Sequence, residues 1–538
     1  MKKIFFIFLF LIFLGAGFYF FNFYRNFNSS GNSQGEINFL FQKSPSFFEA
    51  YQKSLPLFSR LPSYYQEIFK IYSSFLVKNQ TSPFLLFALY LKNPLIYQKI
   101  ESFSALFKDL SLNQFFPKEL EEKKAILSFL GQDQEKNYLI IFQDPLIERP
   151  SGGIFAAYAI LNFQRENYNI SKASHIIDLD LIFQKEYLPY PILSKQTDRL
   201  LFHDLGWFLN AESNSQEVLN AFNSLELNDL GFDGVIFINL GIFQEILKVA
   251  GPIEINNQMI TQENVLNYLR NLISSDFRSN TNQKFSPFFF SFLKVIFEKI
   301  QNLEEEKFLY LAEIFKEALE RKDIQLSLQD QEIMRFLKEN GIIPSFQNEN
   351  LDYLSVVFFS KNEDFSKEKS LPIKFSLDSL IFENETKNNL IIFPQEEGYL
   401  KIYLPSNAKI EKVKNCFLNL YLKENLSGSF WPESYDKRVF DMEKQIEVYE
   451  ENGKKVIGCY NSKNLNVEIT YFLDFGKKEL KEKGKWQLII EKQSGKDTYF
   501  SYNILNFKDL NLQPTLFAFS QWISLEKDLE INFYLNQE

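Results

Sequence analysis

The side chains able to do chemistry sit in four short stretches in the middle of the chain. The first is Glu148-Arg149-Pro150-Ser151-Gly152-Gly153. Two adjacent glycines let backbone amides approach an anion, and the Arg149 guanidinium can grip a phosphate or carboxylate with two donors. The competing reading is a strained turn closed by an Arg–Glu pair. The residues alone favour the turn, since Gly-pair turns are common. The second stretch is Asp178-Leu179-Asp180. On a strand the two carboxylates point to one side, which suits Mg²⁺; a solvated strand face or turn uses the same residues. The third is His203-Asp204 with Trp207. A His beside an Asp can titrate near neutrality. Sequence neighbours often point apart, however, and a lone surface His is the plainer expectation. The fourth, Asp233-Gly234-Val235, reads as a turn entering a buried strand. No GxSxG, P-loop or GxGxxG occurs in a strand–helix context, so hydrolase, kinase and dinucleotide chemistry find no support.

Positioning these stretches falls to a segment predicted over 137–285 as an α/β core. Its centre is 138–160, a buried strand, a tight turn of phosphate size and a second apolar run. Residues 235–238 are a further short apolar run, as a buried strand would be. Phe243, Ile246, Leu247 and Ala250 share a helix face that Gly251-Pro252 terminates. Residues 286–344 read as helices covering that core. Pro287 opens the first and Asp330 caps the last. From 351 to 538 the apolar period becomes two, as in Leu400, Ile402 and Leu404, or Val467, Ile469, Tyr471 and Leu473. Glu451-Asn452-Gly453 is a hairpin signal. This third is predicted as an antiparallel β-sandwich-like domain. Cys416 and Cys459 both fall in it and could pair outside the cytoplasm; spacing alone leaves that open.

Ahead of these units, 45–136 reads as helical and 26–44 as a linker. Residues 4–24 carry no charge. As a helix they would span roughly 31 Å, enough for a bilayer core. Lys2 and Lys3 precede the run and only Arg25 follows, which puts the amino end in the cytoplasm. We read 1–25 as an uncleaved transmembrane anchor. A cleaved signal peptide with Gly15-Ala16-Gly17 near its end is the alternative, though the apolar run is long for one. Either way the bulk of the chain lies outside the cytoplasm, and the whole is an α+β multidomain architecture.

Composition agrees with this plan. At 538 residues, 45% of them hydrophobic, the chain can fill two or three cores. The 61 Phe accompany abundant Lys, Asn, Ile and Tyr, a pattern that A/T-rich codons explain. With 58 basic and 68 acidic side chains the net charge is −10, which argues against nucleic acid as a partner. Two His and two Cys are too few for a His-rich zinc site, no CxxC or HExxH occurs, and a carboxylate site for Mg²⁺ or Ca²⁺ stays open.

Taken in order, these stretches resemble a bacterial envelope family catalogued as domain of unknown function 4012. Its pattern is a strand with "QN", then "E-R-P-T-G-G-F", "D-x-Y-x-x-D", "R-D-A-N-W", "D-G-V" and "G-P-V" with a Thr-x-x-N helix start. Here stand Gln143, Glu148 to Ile154, Asp178 and Asp180, His203-Asp204 with Trp207, Asp233-Gly234-Val235, Gly251-Pro252-Ile253, and Thr261 with Asn264. Late in the chain, Lys492-Gln493-Ser494-Gly495 looks like the family's "K-Q-x-G". The likeness covers 137–270 and is weaker beyond. Two departures matter: Asp144-Pro145 replaces "N-N", and His203 replaces an Arg, exchanging a permanent charge for a switchable one. The resemblance implies a membrane-anchored, outward-facing protein without a settled activity, binding envelope glycopolymer or a surface partner. A more distant likeness is to the LytR–CpsA–Psr phosphotransferases, which move polyprenyl-diphosphate-linked glycans to the cell wall. That likeness implies Arg149 as the leading diphosphate ligand and Asp204, Asp178 and Asp180 as candidate Mg²⁺ ligands. The site candidates are then Arg149 and Asp204 for catalysis, Glu148, Gly152, Gly153 and His203 for binding, and Asp178 and Asp180 for metal.

Overall fold

A computed structural model describes residues 128–129, 131, 134–164, 167–183, 200–225, 231–278, 287–339, 343, 352–360, 371–417, 439–441, 446–505, 512–514 and 519–535. The expected anchor, the linker and the helical stretch up to 127 lie outside the described residues. Among the described residues no helix is long and apolar enough to cross a membrane. The fold is mixed α/β, with several sheets and more strand than helix.

The α/β part is built on β1 (Lys136–Asp144), β2 (Ile154–Gln164), β3 (Asn167–His175), β4 (Gly234–Asn239) and β7 (Ile324–Leu328), with the short hairpin β5 (Ile253–Ile255) and β6 (Gln258–Ile260) beside them. The five-stranded sheet runs β3-β2-β1-β4-β7. All nine residues of β1 are buried because it is the central strand, with β2 antiparallel on one side and β4 parallel on the other. Continuous apolar sequence is what such a position requires. Helices α1 (Ala211–Ser224), α2 (Ile242–Ala250), α3 (Val265–Arg278), α4 (Pro287–Gln301), α5 (Glu305–Glu320) and α6 (Gln331–Glu339) complete it. Phe243, Ile246 and Leu247 of α2 meet Phe289, Phe292 and Ile296 of α4 in one core that covers one face of the sheet. Asp330 caps α6 by accepting the Glu332 and Ile333 amides.

The stretch 286–344 is not purely helical as the periodicity suggested. Strand β7 lies between α5 and α6 and closes the sheet antiparallel to β4. Five residues are too few to show a period against the flanking helices.

The C-terminal part holds β8 (Asp352–Ser360), β9 (Ile373–Ile381), β10 (Thr386–Ile392), β11 (Gly398–Pro405), β12 (Lys409–Lys414), β13 (Cys416–Phe417), β14 (Val439–Asp441) and β15 (Ile446–Glu451). There follow β16 (Lys454–Asn461), β17 (Val467–Leu473), β18 (Lys485–Glu491), β19 (Thr498–Leu505), β20 (Leu512–Pro514), β21 (Phe519–Leu525) and β22 (Leu529–Leu535). They form a six-stranded sheet, β12-β17-β10-β9-β19-β21, and a nine-stranded sheet, β14-β15-β16-β11-β8-β18-β22-β20 with β13 beside β16. The two sheets share one apolar core. The pairing is not wholly antiparallel: β18 runs parallel to β8, and β19 to β9. Cys416 and Cys459 form a disulfide between β13 and β16, with Cα atoms 5.4 Å apart.

The nine-stranded sheet is covered on both faces. Leu354, Val356 and Phe358 of β8 point to the six-stranded sheet, and Tyr353, Val357 and Phe359 point to the α/β part. On β11, Leu400, Ile402 and Leu404 fill the first core while Tyr399 and Tyr403 fill the second. The alternation read from sequence as inside and outside is therefore an alternation between two interiors.

Candidate functional site

The stretch between β1 and β2 is a closed turn. The Ile154 amide donates to the Ile147 carbonyl at 3.0 Å and the Gly152 amide to the Arg149 carbonyl at 3.0 Å. Gly152 and Gly153 have φ of 128° and 155°, a region L side chains avoid. A Cβ on Gly153 would overlap the Asp144 carbonyl, and one on Gly152 would overlap the Ser494 hydroxyl. The close approach that two glycines permit is thus to protein. The loop 492–497 after β18 fills the bend.

That loop holds the turn through polar contacts. The Gln493 amide donates to the carbonyls of Arg149 (3.0 Å) and Phe358 (2.9 Å), and its oxygen accepts the Phe358 amide at 2.8 Å. The Ser494 hydroxyl donates to the Lys322 carbonyl and accepts from the Asn239 side chain at 3.3 Å. Lys496 pairs with Glu148 at 2.7 Å, both side chains 2% exposed. Gly495 sits so close to the Gly152 carbonyl that a Cβ there would overlap it.

Arg149 is fully buried. Its Nε and Nη2 donate to Asp204 Oδ1 at 3.0 and 2.7 Å, Nη1 donates to the Glu148 carbonyl at 3.2 Å, and Cζ lies 4.3 Å over the Phe359 ring. His203 is not a surface residue. Its Nε2 is 3.2 Å from Asp204 Oδ2 and its Nδ1 is 2.6 Å from Asp180 Oδ2. Asp180, His203, Asp204 and Arg149 form a line of alternating charge, most of it out of water. Burial would lower His203, but Asp204 and Asp180 outweigh it and hold the imidazole well above its ordinary range. Burial would raise Asp204, but His203 and Arg149 bring it to about 2.

The other stretches fall as follows. Asp178 and Asp180 lie on a single helical turn, Ile177–Asp180, not on a strand. Two residues apart on a helix point to different sides, so Asp178 accepts from Ser174 while Asp180 reaches His203. Among the described residues no group of three or more His, Cys, Asp or Glu side chains could hold a metal ion. Asp233 starts β4 by accepting the Asn137 amide and the Lys136 ammonium, both at 2.8 Å. Trp207 is fully buried, its ring 5.1 Å from Phe359 and 5.6 Å from Tyr399. Lys401, also fully buried, donates to the Trp207 carbonyl at 3.0 Å and pairs with Glu451 at 2.8 Å. Thus Arg149, Glu148, Gly152 and Trp207 all face the C-terminal part, while Gly153 packs on the Asp144 carbonyl within the α/β part.

An open cleft lies along the same seam, with a volume of about 370 Å³. That is the size of many small-molecule sites, and seams between units are where such sites recur. One wall comes from the α/β part and carries Leu209, Leu319, Leu326 and Met334; the other comes from the nine-stranded sheet and carries Tyr353, Tyr403, Glu451 and Glu491. Tyr403 donates to Glu451 at 2.6 Å, Tyr353 donates to Glu491, and Lys322 donates to Glu491 at 2.6 Å. Lys454 lies 4.3 Å over the Tyr353 ring. Burial raises the Tyr353 and Tyr403 phenols, with Glu491 and Glu451 adding to it, so both stay donors at neutral pH. Burial lowers Lys454. Lys322 links cleft and turn, since its carbonyl accepts from Ser494. None of these cleft residues carries a motif. Tyr403 and Glu451 stand at positions that period two assigns to the outer face of their strands, out of phase with Leu400, Ile402 and Leu404 and with Ile446, so nothing in the sequence marks them as a site.

Residues 133–273 match the model of a family described as "Protein of unknown function (DUF4012)". No curated protein matches the chain. Among solved structures, the transcriptional regulator yvhJ from Bacillus subtilis overlaps 40% of this chain and 84% of its own at 11% identity and a TM-score of 0.21. The acetylcholine-binding protein type 1 of Biomphalaria glabrata overlaps 33% of this chain and 92% of its own at 9% identity and a TM-score of 0.10. Overlaps this slight carry no argument about function.

Proposed function

We propose, from the premise that residues 133–273 belong to the family DUF4012, that this chain is a binding protein of the bacterial envelope. Its apolar N-terminal segment holds it in the membrane, and its folded body outside the cytoplasm engages envelope glycopolymer or a surface partner. The observation that carries this reading is the use made of the motif side chains. Arg149, Glu148 and Gly152 bind the two halves of the protein to each other, while the open cleft lies beside them at the seam. The Cys416–Cys459 disulfide supports an oxidising location.

A phosphotransferase would need Arg149 to leave Asp204 for a diphosphate. Separating a buried, hydrogen-bonded pair costs about 3–5 kcal/mol. The two readings part at Arg149→Ala. In either case the variant loses about 3 kcal/mol of stability in urea unfolding, because Asp204 keeps its burial with only His203 left as a partner. A phosphotransferase shows Mg²⁺-dependent turnover of a polyprenyl diphosphate in the wild type and loses it in the variant; a binding protein shows none in either. Placement is tested separately by adding proteinase to intact cells. Digestion of the C-terminal part is expected, and its protection would overturn the envelope reading.

A further inference from the structure

We propose that the seam cleft takes an uncharged sugar ring, one unit of a glycan lying across its mouth. This rests on the envelope-binding reading and gives it a site. A pyranose has C–H groups on its faces and hydroxyls around its edge. The cleft is two-sided in the same way. Leu209, Leu319, Leu326 and Met334 make the apolar wall, where a C–H face is removed from water.

The opposite wall supplies acceptors. Glu451 Oε1 accepts from Tyr403 at 2.6 Å and Oε2 from Lys401 at 2.8 Å. Glu491 Oε1 accepts from Lys322 at 2.6 Å and Oε2 from Tyr353. A carboxylate oxygen has two lone pairs, so these contacts fix both side chains and leave each oxygen a further place for a hydroxyl. Lys454 and Lys338, nearer the mouth, are donors for hydroxyl or amide oxygens.

Charge offers an ion no net attraction. The lining holds Glu212, Glu451 and Glu491 against Lys322, Lys338 and Lys454. The signs balance, and a diphosphate entering would meet the acceptor wall at close range. A neutral polyhydroxylated ring meets no such opposition.

The test uses the full chain and isothermal titration calorimetry with maltoheptaose, chitohexaose and inorganic pyrophosphate. At least one neutral oligosaccharide binds saturably, and pyrophosphate does not. Lys454→Ala removes a mouth donor and Ala211→Trp fills the entrance; each weakens sugar binding at least about tenfold. Hydrogen exchange with the binding sugar present gives protection at 209–212 and 451–454, a readout that needs no variant. Absence of binding by both sugars, unchanged binding in Ala211→Trp with no protection at those segments, or tighter binding of pyrophosphate than of sugar overturns the proposal. If sugar binding fails while proteinase still reaches the chain on intact cells, the site falls and the envelope placement stands. If sugar binds and the chain is protected, the reverse holds.

Discussion

Arg149 shows how a side chain with the right chemistry for phosphate is committed to structure instead. Its fork is satisfied by Asp204 and a backbone carbonyl, and its flat face lies on Phe359. Guanidinium tolerates such burial because it is weakly hydrated and planar. The neighbouring His203 makes this line sensitive to pH. Its folded value is raised, so its contribution to stability is complete below its unfolded value of about 6.5 and is lost as pH rises through the folded value. Asp204 acts in the opposite sense. Its folded value is about 2, so its contribution is complete above about 4 and is lost as pH falls through about 2. Both contributions are complete between about pH 4 and 6.5. Urea midpoints are expected to fall from pH 6 to pH 10 more steeply in the wild type than in His203→Gln. Equal slopes would remove His203 as the source.

Among the elements, the disulfide and the two-faced sheet matter most. Cys416 and Cys459 close a sequence separation of 43 residues. Chain-entropy reasoning puts the stabilisation at about 4 kcal/mol for a loop of that size. The Cys416→Ser, Cys459→Ser double variant should therefore unfold at distinctly lower temperature, and dithiothreitol should give the wild type the same shift. A melting temperature indifferent to both would show the bridge to be inert. The pairing was not readable beforehand, because two cysteines far apart in sequence meet only when β13 is laid beside β16. Strand β7 is the same kind of case. Its neighbours in sequence are helices, and only its pairing with β4 makes it a strand.

For the molecule as a whole, the seam is a core and not a contact between finished units. Trp207, Phe208, Phe222 and Phe237 from the α/β part are packed with Tyr353, Phe359, Tyr399 and Tyr403 from the nine-stranded sheet. Separated, each side would expose large aromatic surface, which at about 25 cal/mol per Å² makes independent folding unfavourable. We expect one cooperative thermal transition for the described body, seen identically by tryptophan fluorescence and by far-ultraviolet circular dichroism. Two resolved transitions would show that the halves fold alone.

The amino-acid sequence by itself determined the strand, turn and second apolar run at 138–160, the helix face of α2, the start of α4 at Pro287, the cap at Asp330 and the change to period two after 351. These are local: spacing, caps and glycines decide them within a few residues. It also marked Glu148, Arg149, Gly152, Gly153, His203 and Asp204 as residues of consequence. What those residues touch was decided by tertiary structure alone. Gly152 faces Ser494, Arg149 faces Asp204 and Phe359, and Glu148 faces Lys496, in each case across a long interval of chain. A bend that admits a phosphate and a bend that admits another loop need the same glycines, because both require a backbone without Cβ. Only the arrival of the distant segment distinguishes them.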